Sequence, residues 1–375
     1  MDNELMLCRS MIIAYYEQPG IGWHAVEKAV RHQLWRKPDW SRAELLGMGL
    51  TPEQAEKTER FLRNGAWKDT ASSRRDDDRA DVAVLTPFDD AYPSILREIA
   101  QPPWVLYAKG RLELLARPAV AMVGTRVPTA YGRHTASAMA EELSEAGITV
   151  VSGLARGIDS KAHEAAMQGP GSTIAVLPTP IDTCYPAENA SLFQRIAERG
   201  LLVSETPVGT KLHPGQFHQR NRIIAALSRA TIVVEGARKS GSLITAKHAL
   251  QMDREVFAVP GQITSPKSDG PNELIREGRA RLLSETSQLF QELPWLTGQA
   301  GLFAGGAGGS PINSEAESLE PEERRLIAFL QDQPLSINEL HELSAIPFGH
   351  LNALLLNLCI KRKIELQPGS IYIAL

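Results

Sequence analysis

Five loops in the central part of the chain carry the groups that anion binding requires. They span residues 124–126, 152–159, 178–186, 217–222 and 240–247. Glycines in the first, second and fifth of these loops allow a backbone amide to approach a ligand closely, while hydroxyl and guanidinium groups supply hydrogen bonds and positive charge. One such loop is a weak signal, because α/β folds also use glycine at these turns for packing. Five of them at one edge of a sheet predict a site for an anionic ligand.

The composition of these loops favours a phosphodiester strand over a nucleotide cofactor. The chain has neither a Walker A lysine motif nor the dinucleotide-binding glycine fingerprint, so we expect no cofactor. Arginines recur beside one aromatic residue, Phe217, and a base stacked on such a ring contributes roughly 1–3 kcal/mol. The three cysteines, Cys8, Cys184 and Cys359, are too scattered for a zinc site or a disulfide framework. We therefore expect a single-stranded nucleic acid and no metal.

The elements that must position these loops follow an α/β pattern. Short apolar runs recur at 119–123, 148–151, 173–177, 201–203, 230–234 and 255–259. The runs are continuous rather than alternating, which is typical of strands buried on both faces of a mostly parallel sheet. A loop rich in Gly, Ser or Pro and usually a helical segment follow each run. The pattern predicts an α/β fold with an extended Rossmann-like, doubly wound sheet that binds ligands at the carboxyl ends of its strands.

Composition also predicts the domain organisation. Residues 1–68 are typical of a small helical domain with turns like those of a helix-hairpin-helix, and residues 82–297 form the Rossmann-like core. The segment 69–81 is polar and lacks apolar periodicity, which indicates a linker. Residues 298–320 form a Gly-rich linker, because a run such as 305–310 cannot bury enough apolar surface to fold. Residues 321–375 show the helix, helix, helix, hairpin order of a winged helix, with its third helix at 347–361.

Two features of the flanking domains admit more than one interpretation. The turns at 19–22 and 48–52 place glycine before a helix, where free amides can hold a phosphate, but a tight helix–helix turn explains them equally simply. The third helix of the winged helix offers Phe348, His350 and Asn352 and then mostly leucine. A DNA-reading helix carries polar or basic residues at its entry, so we favour a structural or protein-contact role over base reading.

Charge and hydropathy limit where the protein acts. The formal net charge at pH 7 is −4, but residues 205–255 carry eight Lys or Arg against four acids. An anion site is therefore expected to be local and central. No apolar run approaches the roughly 20 residues that span a bilayer, and the N-terminus MDNELMLCRS lacks the basic start of a signal peptide. We expect a cytoplasmic protein without a membrane span.

A catalytic role for the same loops has little support in the sequence. His163, Asp159 and Glu205 could form an acid–base group. No nucleophile stands at a matching spacing, and Asp159 is placed to cap the helix that follows it. We therefore expect no enzymatic activity.

The arginines have a structural alternative to ligand binding. Arg220 and Arg222 could pair with Glu205 or Glu235 in a network that need not exclude DNA contact. If the arginines act mainly by binding phosphate, alanine at Arg126 or Arg220 weakens binding and leaves the thermal transition nearly unchanged.

The succession of motifs between about residues 87 and 284 resembles the DNA-processing protein A family, also called DprA or Smf. The flanks also resemble members of this family that carry a helical, sterile-alpha-motif-like front and a winged-helix tail. The sequence departs from the family pattern at 178–180 and at His218. The matching segments, in chain order, are Gly124-Thr125-Arg126, Ser152-Gly153-Leu154-Ala155-Arg156-Gly157-Ile158-Asp159, Ala162-His163, Tyr185-Pro186, Ser204-Glu205, Phe217, Arg220-Asn221-Arg222-Ile223-Ile224, Ser240-Gly241-Ser242-Leu243-Ile244-Thr245-Ala246 and Val256-Phe257-Ala258-Val259-Pro260-Gly261.

The resemblance implies a protein that binds and protects incoming single-stranded DNA. It also implies a homodimer that helps to load the RecA recombinase during natural transformation and recombination. The DNA-binding residues that it implies are Gly124, Thr125, Arg126, Arg156, Phe217, Arg220, Asn221, Arg222, Ser240, Gly241, Ser242, Thr245 and Lys247.

The main rival is an enzyme. The Rossmann core is also similar to that of lysine-decarboxylase-like phosphoribohydrolases, which cleave the N-glycosidic bond of nucleotides. Those enzymes carry a Pro-Gly-Gly-x-Gly-Thr-x-x-Glu loop whose carboxylate is catalytic. The corresponding turn at 240–247 lacks the acid and presents Lys247, which favours phosphate binding over hydrolysis.

Overall fold

A computed structural model gives the structure of the chain in two compact units, Met1–Ala304 and Gly305–Leu375. The residues that it describes are 3–37, 39–65, 67, 81–297, 321–332, 334–344, 346, 351, 354–355, 358, 363–367 and 371–374. Residues 69–80 of the first predicted linker and the whole Gly-rich linker 298–320 lie outside the described residues. The domain boundaries therefore stay predictions.

Four helices precede the sheet in the first unit. They are α1 (Asn3–Tyr16), α2 (Trp23–Arg31), α3 (Arg42–Gly47) and α4 (Pro52–Asn64). Reciprocal hydrogen bonds fix the starts of the last two helices, as expected of capping boxes. The amide of Ser41 donates to the Glu44 carboxylate at 2.8 Å, and the amide of Thr51 donates to the Gln54 side chain at 3.2 Å.

Nine strands form one sheet in the described part of the first unit. They are β1 (Val82–Leu85), β2 (Leu106–Gly110), β3 (Ala119–Val123), β4 (Thr149–Ser152), β5 (Thr173–Leu177), β6 (Leu201–Ser204), β7 (Ala230–Val233), β8 (Glu255–Ala258) and β9 (Arg281–Leu282). The spatial order is β1-β2-β6-β5-β4-β3-β7-β8-β9. Strands β3 to β9 pair in parallel, and β1 and β2 add an antiparallel edge.

The order of the strands defines a switch point between β3 and β7. From β3 the chain moves outward through β4 and β5 to β6, and it then returns to the other side of β3 and continues from β7 to β9. Open α/β sheets bind ligands at the carboxyl ends of the strands beside such a reversal. The fold therefore predicts a crevice between the loops that follow β3 and β7.

Helices cover both faces of the sheet. They are α5 (Ser94–Arg97), α6 (Ala130–Glu145), α7 (Ile158–Ala166), α8 (Ala190–Arg199), α9 (Gly215–Ala226), α10 (Gly241–Gln251), α11 (Asp269–Arg276) and α12 (Ser287–Glu292). Along β3, Ala121 and Val123 join the hydrophobic core on one face, while Val120 and Met122 join the core on the other. Burial on both faces explains why the apolar runs are continuous. The predicted doubly wound α/β fold is confirmed.

The N-terminal helices pack against the antiparallel edge of the sheet. The rings of Trp23 and Trp104 lie 5.7 Å apart, and each indole N–H donates to a backbone carbonyl across the contact, from Trp23 to Pro102 at 2.7 Å and from Trp104 to Trp23 at 3.1 Å. Tyr16 donates its hydroxyl hydrogen to the carbonyl of Glu205 at 3.1 Å. Helices and sheet thus share one continuous core within this unit.

The second unit has the predicted winged-helix order. Its described elements are α13 (Pro321–Asp332), β10 (Leu335–Ser336), α14 (Ile337–Ser344), β11 (Ile364–Gln367) and β12 (Ile371–Ala374), with the sheet order β10-β12-β11. Ser336 caps α14, because its hydroxyl accepts from the amide of Glu339 at 3.4 Å and its amide donates back at 2.7 Å. Most of the predicted third helix, and with it Phe348, His350 and Asn352, lies outside the described residues.

Four strands were not expected from the sequence. β1 and β2 form the antiparallel edge of the large sheet, and β9 and β10 have only two residues each. Within the ranges given above, no helix combines the length and the apolar character that crossing a membrane requires.

Candidate functional site

A cleft of about 620 Å³, which we call the carboxyl-end cleft, lies at the switch point between β3 and β7. It is formed by the loops after β3, β4 and β7 together with the first turns of α9 and α10. Its lining residues are Val123, Gly124, Thr125, Arg126, Ala155, Asp159, Tyr185, Pro214, Phe217, His218, Arg220, Asn221, Ile224, Ala237, Lys239, Ser240, Gly241, Ser242, Ile244 and Thr245.

The loop after β3 is fixed by a buried acid, Glu235, which lies just after the neighbouring strand β7. The amide of Thr125 donates to the carbonyl of Glu235 at 2.7 Å. The Glu235 carboxylate accepts from the amide and the hydroxyl of Thr129 at 2.9 and 2.5 Å, and it packs so closely on Gly132 that a Cβ there would lie 2.3 Å from it. These contacts leave Arg126 exposed at the rim of the cleft.

A second buried acid holds the loop after β4. One carboxylate oxygen of Asp159 accepts from the amides of Gly153 at 3.2 Å and Ala155 at 3.4 Å. Both amides precede α7, whose N-cap is Gly157. The prediction that Asp159 caps α7 is therefore wrong, because its carboxylate turns back to the loop instead. Burial raises the pKa of Asp159, and the positive charge of Arg220 opposes that shift.

His163 holds the same loop from below. Its Nε2 accepts from the amide of Leu154 at 3.2 Å, and Leu154 has a positive φ of 54°. Its Nδ1 lies 2.6 Å from the Thr173 hydroxyl, which donates its own hydrogen to the carbonyl of Val150. Nδ1 must therefore carry the proton. Burial lowers the pKa of His163 to about 3, so the ring is neutral at pH 7 and acts as a support rather than as a base.

Arg220 is a buried cation that faces this loop from α9. Its side chain is 7% exposed, and Nη1 donates to the carbonyls of Gly153 and Val176. A Cβ at Gly153 would overlap the guanidinium, so only glycine fits there. Burial lowers the pKa of Arg220 to about 10, which the Asp159 carboxylate opposes. The guanidinium remains charged at pH 7 and combines a structural role with a place in the cleft.

An aromatic cluster forms the rim of the cleft. The Arg126 guanidinium lies 5.6 Å from the ring centre of Phe217, and the Tyr185 ring meets Phe217 edge to face at 5.3 Å. A side pocket of about 80 Å³ continues beneath this cluster. It is lined by Arg126, Gly153, Ala155, Arg156, Pro178, Tyr185, Pro186, Phe217 and Arg220.

The start of α10 completes the cleft on the side of β7. Ser240 caps the helix by accepting from the amide of Ser242 at 3.4 Å, and the two hydroxyl oxygens lie 2.8 Å apart. The amide group of Asn221 bridges two elements, since its Nδ2 donates to the carbonyl of Gly241 at 3.3 Å and its Oδ1 accepts from Arg220 at 3.1 Å. Hydroxyls at the N-terminus of a helix suit an anion.

The structure brings most of the predicted DNA-binding residues together. Arg156 lines the side pocket rather than the cleft, and it donates to Glu188 at 2.6 Å on the surface. Ten line the carboxyl-end cleft, namely Gly124, Thr125, Arg126, Phe217, Arg220, Asn221, Ser240, Gly241, Ser242 and Thr245.

Two predicted residues lie away from the cleft. Arg222 is 13% exposed and donates Nη2 to both carboxylate oxygens of Glu205 at 2.5 Å and Nη1 to the carbonyl of Gln101 at 2.6 Å. It therefore follows the structural alternative. Lys247 is exposed on a later turn of α10 and lines neither cavity. Both residues were included in the prediction because they stand close in sequence to residues that do line the cleft.

Sequence reasoning missed two residues as members of the site. Tyr185 supplies the second ring of the rim, and Lys239 adds a cation just before α10. Both were visible as part of motifs, Tyr185 before Pro186 and Lys239 before Ser240, but neither position alone indicated a cleft. Among the residues that the structure describes, no group of three His, Cys, Asp or Glu side chains could hold a metal ion.

Comparison with known proteins gives the same assignment for both units. The family "DNA recombination-mediator protein A" matches residues 83–294, and "DprA winged helix domain" matches residues 311–370. Protein Smf of Synechocystis sp. is 40% identical over 314 residues, which are 77% of this chain and 79% of that protein. DNA processing protein DprA of Bacillus subtilis is 45% identical over 204 residues, which are 54% and 68% of the two chains.

Two solved structures are similar to this chain above 30% identity. DNA processing protein A from Streptococcus pneumoniae aligns with a TM-score of 0.64 at 32% identity, over 78% of this chain and 98% of that one. The protein from Helicobacter pylori, whose structure concerns its single-stranded DNA binding mode, aligns with a TM-score of 0.52 at 33% identity, over 57% and 96%. The resemblance predicted from the motifs is confirmed, and the chain belongs to the DNA processing protein A (DprA/Smf) family.

Proposed function

We propose that this chain binds single-stranded DNA in the carboxyl-end cleft. The observation that carries the proposal is the position of Arg126, which is exposed, forms no ion pair within the described residues and lies over Phe217 at 5.6 Å. A phosphate that draws this guanidinium away gains a charge-assisted hydrogen bond and uncovers the ring for a base. The single-stranded DNA binding mode of the Helicobacter pylori relative supports the same assignment.

The polar groups of the cleft favour binding without strong sequence preference. Asn221, which could otherwise read a base edge, uses its amide oxygen on Arg220 and its amide nitrogen on Gly241. The remaining side-chain donors are hydroxyls, cations and His218, and hydroxyls and cations are the groups that most often contact phosphate. Affinity should therefore depend on charge and on stacking.

The acids of the cleft favour binding over hydrolysis. Asp159 is the one acidic residue that lines the cleft among the residues described, and the amides of Gly153 and Ala155 engage its carboxylate. The turn at the start of α10 lacks the acid that the phosphoribohydrolases carry in the corresponding loop, and it presents Ser240 and Ser242 to the cleft. We therefore infer that the protein is not an enzyme.

The finer part of the proposal concerns the role of the bound strand. We infer that the protein acts in the cytoplasm as a homodimer, protects incoming single-stranded DNA and helps to load RecA during transformation and recombination. Light scattering tests the dimer. ATP hydrolysis by RecA on single strands, with and without this chain, tests the loading. An unchanged rate of hydrolysis would contradict that step and leave DNA binding intact.

A titration tests the binding itself. Fluorescence anisotropy of labelled dT20 and of a 20-base-pair duplex is measured with the full chain at 50 and 200 mM salt. We expect tighter binding of dT20 and a slope of log K against log salt of about −2, because three cations, Arg126, Arg220 and Lys239, each neutralise about one phosphate at −0.7 per contact.

A matched pair of variants locates the strand. Arg126→Gln should weaken dT20 binding about tenfold. The control is Arg276→Gln, which changes an exposed arginine that lines neither cavity and should leave dT20 binding unchanged. Equal affinity of both variants would move the site elsewhere. Release of base from a nucleoside monophosphate by the full chain would favour the enzyme.

A further inference from the structure

A second cleft, of about 700 Å³, lies at the opposite ends of the same strands. We call it the amino-end cleft, because Ala119 begins β3 and Arg229 directly precedes β7. The side chains of α5 and of the segment Leu112–Ala116 close its sides. Its lining residues are Asp90, Ala91, Tyr92, Pro93, Ser94, Ile95, Arg97, Leu112, Glu113, Leu115, Ala116, Arg117, Pro118, Ala119, Leu227, Arg229 and Trp295.

Three guanidinium groups of this cleft are held in place without a carboxylate. Arg97 lies 5.7 Å from the ring centre of Tyr92, and Arg229 lies 5.6 Å from that of Trp295. Arg117 donates Nη1 to the carbonyl of Pro170 at 2.5 Å. None of the three forms an ion pair with an acid in the part of the chain that the structure describes. Because stacking and carbonyl contacts already restrict these side chains, less of their conformational entropy is lost when an anionic partner binds.

The acids of the cleft do not cancel this charge. Glu113 is already bound by Arg111, which lies outside the lining, at 2.8 Å. Asp90 is the remaining acid against Arg97, Arg117 and Arg229. An excess of positive charge therefore faces the cleft, and an anionic partner would be attracted to it.

The rest of the lining differs from that of the carboxyl-end cleft. Tyr92 is 1% exposed, so its ring cannot stack on a base, whereas the ring of Phe217 in the carboxyl-end cleft is partly exposed. Trp295, which carries Arg229, is the other aromatic ring of the lining. Several serine and threonine hydroxyls line the carboxyl-end cleft, whereas Ser94 is the one serine or threonine among the residues that line the amino-end cleft. The floor is aliphatic instead, and Leu112 is 36% exposed although it is a large apolar residue.

We propose that the amino-end cleft binds an acidic peptide segment of a partner protein. Carboxylates of the segment would meet Arg97, Arg117 and Arg229, and an apolar side chain would cover Leu112 and Leu115. A peptide supplies both kinds of group within a few residues, whereas a nucleic acid strand lacks the apolar side chains. This inference is independent of the function proposed for the carboxyl-end cleft.

Anisotropy with model peptides tests the inference on the full chain. The probe is a fluorescein-labelled peptide with five Glu-Leu repeats, and the comparison peptide has five Lys-Leu repeats. We expect the acidic peptide alone to bind, with an affinity that falls as salt is raised from 50 to 200 mM. Arg117→Ala combined with Arg229→Ala should weaken binding at least tenfold, and Arg126→Ala in the other cleft should not change it.

A second variant removes no existing contact. Ala116 is exposed in the lining, so Ala116→Glu adds repulsion for an acidic peptide and should weaken binding about fivefold, while Ala116→Gln serves as its neutral control.

Four outcomes would overturn the inference. They are the absence of binding at millimolar peptide, equal binding of the two peptides, loss of peptide binding in Arg126→Ala alone, and a loss of dT20 rather than peptide affinity in the Arg117 and Arg229 double variant. The last outcome would assign the amino-end cleft to nucleic acid instead.

Discussion

The two clefts lie at opposite ends of β3 and β7 and hold their positive charge in different ways. At the carboxyl ends, a buried arginine, two buried acids and a neutral histidine fix the backbone of the loops, and Arg126 lies over the ring of Phe217 at the rim. At the amino ends, the three arginines are exposed or half-buried, aromatic rings or a backbone carbonyl hold them, and the floor is aliphatic. Arginines among the lining residues of a cleft therefore do not identify its ligand by themselves. The groups that hold those arginines in place must be considered as well.

The sharpest test of this difference is the stability of one arginine variant from each cleft. Arg220→Ala leaves Asp159 buried without its nearby cation and two carbonyls without their donor, so we expect the free energy of unfolding to fall by about 3–5 kcal/mol. Arg229→Ala removes an exposed side chain and should change it by no more than about 0.5 kcal/mol. Urea denaturation measures both. Equal stability of the two variants would break the comparison.

The structure changes one expectation from the sequence. The sequence predicts that alanine at Arg126 and alanine at Arg220 have the same effect, namely weaker DNA binding and an unchanged thermal transition. The burial of Arg220 makes that expectation wrong for this residue, because its loss costs stability as well as charge. Arg126 is exposed, so the prediction of weaker binding with an unchanged thermal transition still stands for it.

A double-mutant cycle on the rim has the next largest effect. Arg126→Ala and Phe217→Ala should each weaken dT20 binding about tenfold, because one removes a phosphate contact and the other a stacking surface. Since the two side chains touch, the double variant should lose less than the sum of the two free energies. Anisotropy titrations of the four proteins give the coupling. Additive losses would show that the two side chains bind separately.

The contribution of His163, which holds the loop after β4, to the free energy of unfolding should depend on pH. The pKa of His163 is lowered to about 3, so below pH 6.5 the unfolded chain binds a proton that the folded chain does not. The free energy of unfolding should therefore fall as the pH is lowered, by up to about 1.4 kcal/mol per pH unit between about 6.5 and 3.

The variant His163→Gln isolates this dependence from that of the other groups. It removes the titrating ring, so its deficit in unfolding free energy relative to the unaltered chain should shrink as urea denaturation is moved from pH 7 to pH 5. A deficit that stays constant over this range would mean that the ring is protonated in the folded state.

The smallest expected effect on dT20 binding distinguishes two lysines, one just before α10 and one within it. Lys239 lines the cleft and Lys247 does not, although the sequence places both beside the same motif. Lys239→Ala should weaken dT20 binding about threefold to fivefold, and Lys247→Ala should change it less than twofold. The reverse order would indicate that the strand runs along the exposed face of α10.

The sequence was informative where chemistry and local pattern coincide. Continuous apolar runs located six of the nine strands, and the glycine loops after them located ten residues of the cleft. The pattern could not show which arginine is sealed by an acid from a distant loop. Arg222 meets Glu205 across 17 positions of the chain, and Arg220 meets the carbonyl of Gly153 across 67. Such partners are set by the packing of α9 on the sheet, which no local pattern encodes.

The Glu235 carboxylate has a consequence for small ligands. In dinucleotide-binding folds the pyrophosphate rests on the helix that follows the central strand, and here that helix is α6. The Glu235 carboxylate occupies the start of α6 through its contacts with Thr129 and Gly132. The pyrophosphate of a molecule such as NAD would have to displace this side chain to reach the helix. A ligand that enters from the rim, beside Arg126 and Phe217, leaves the side chain in place.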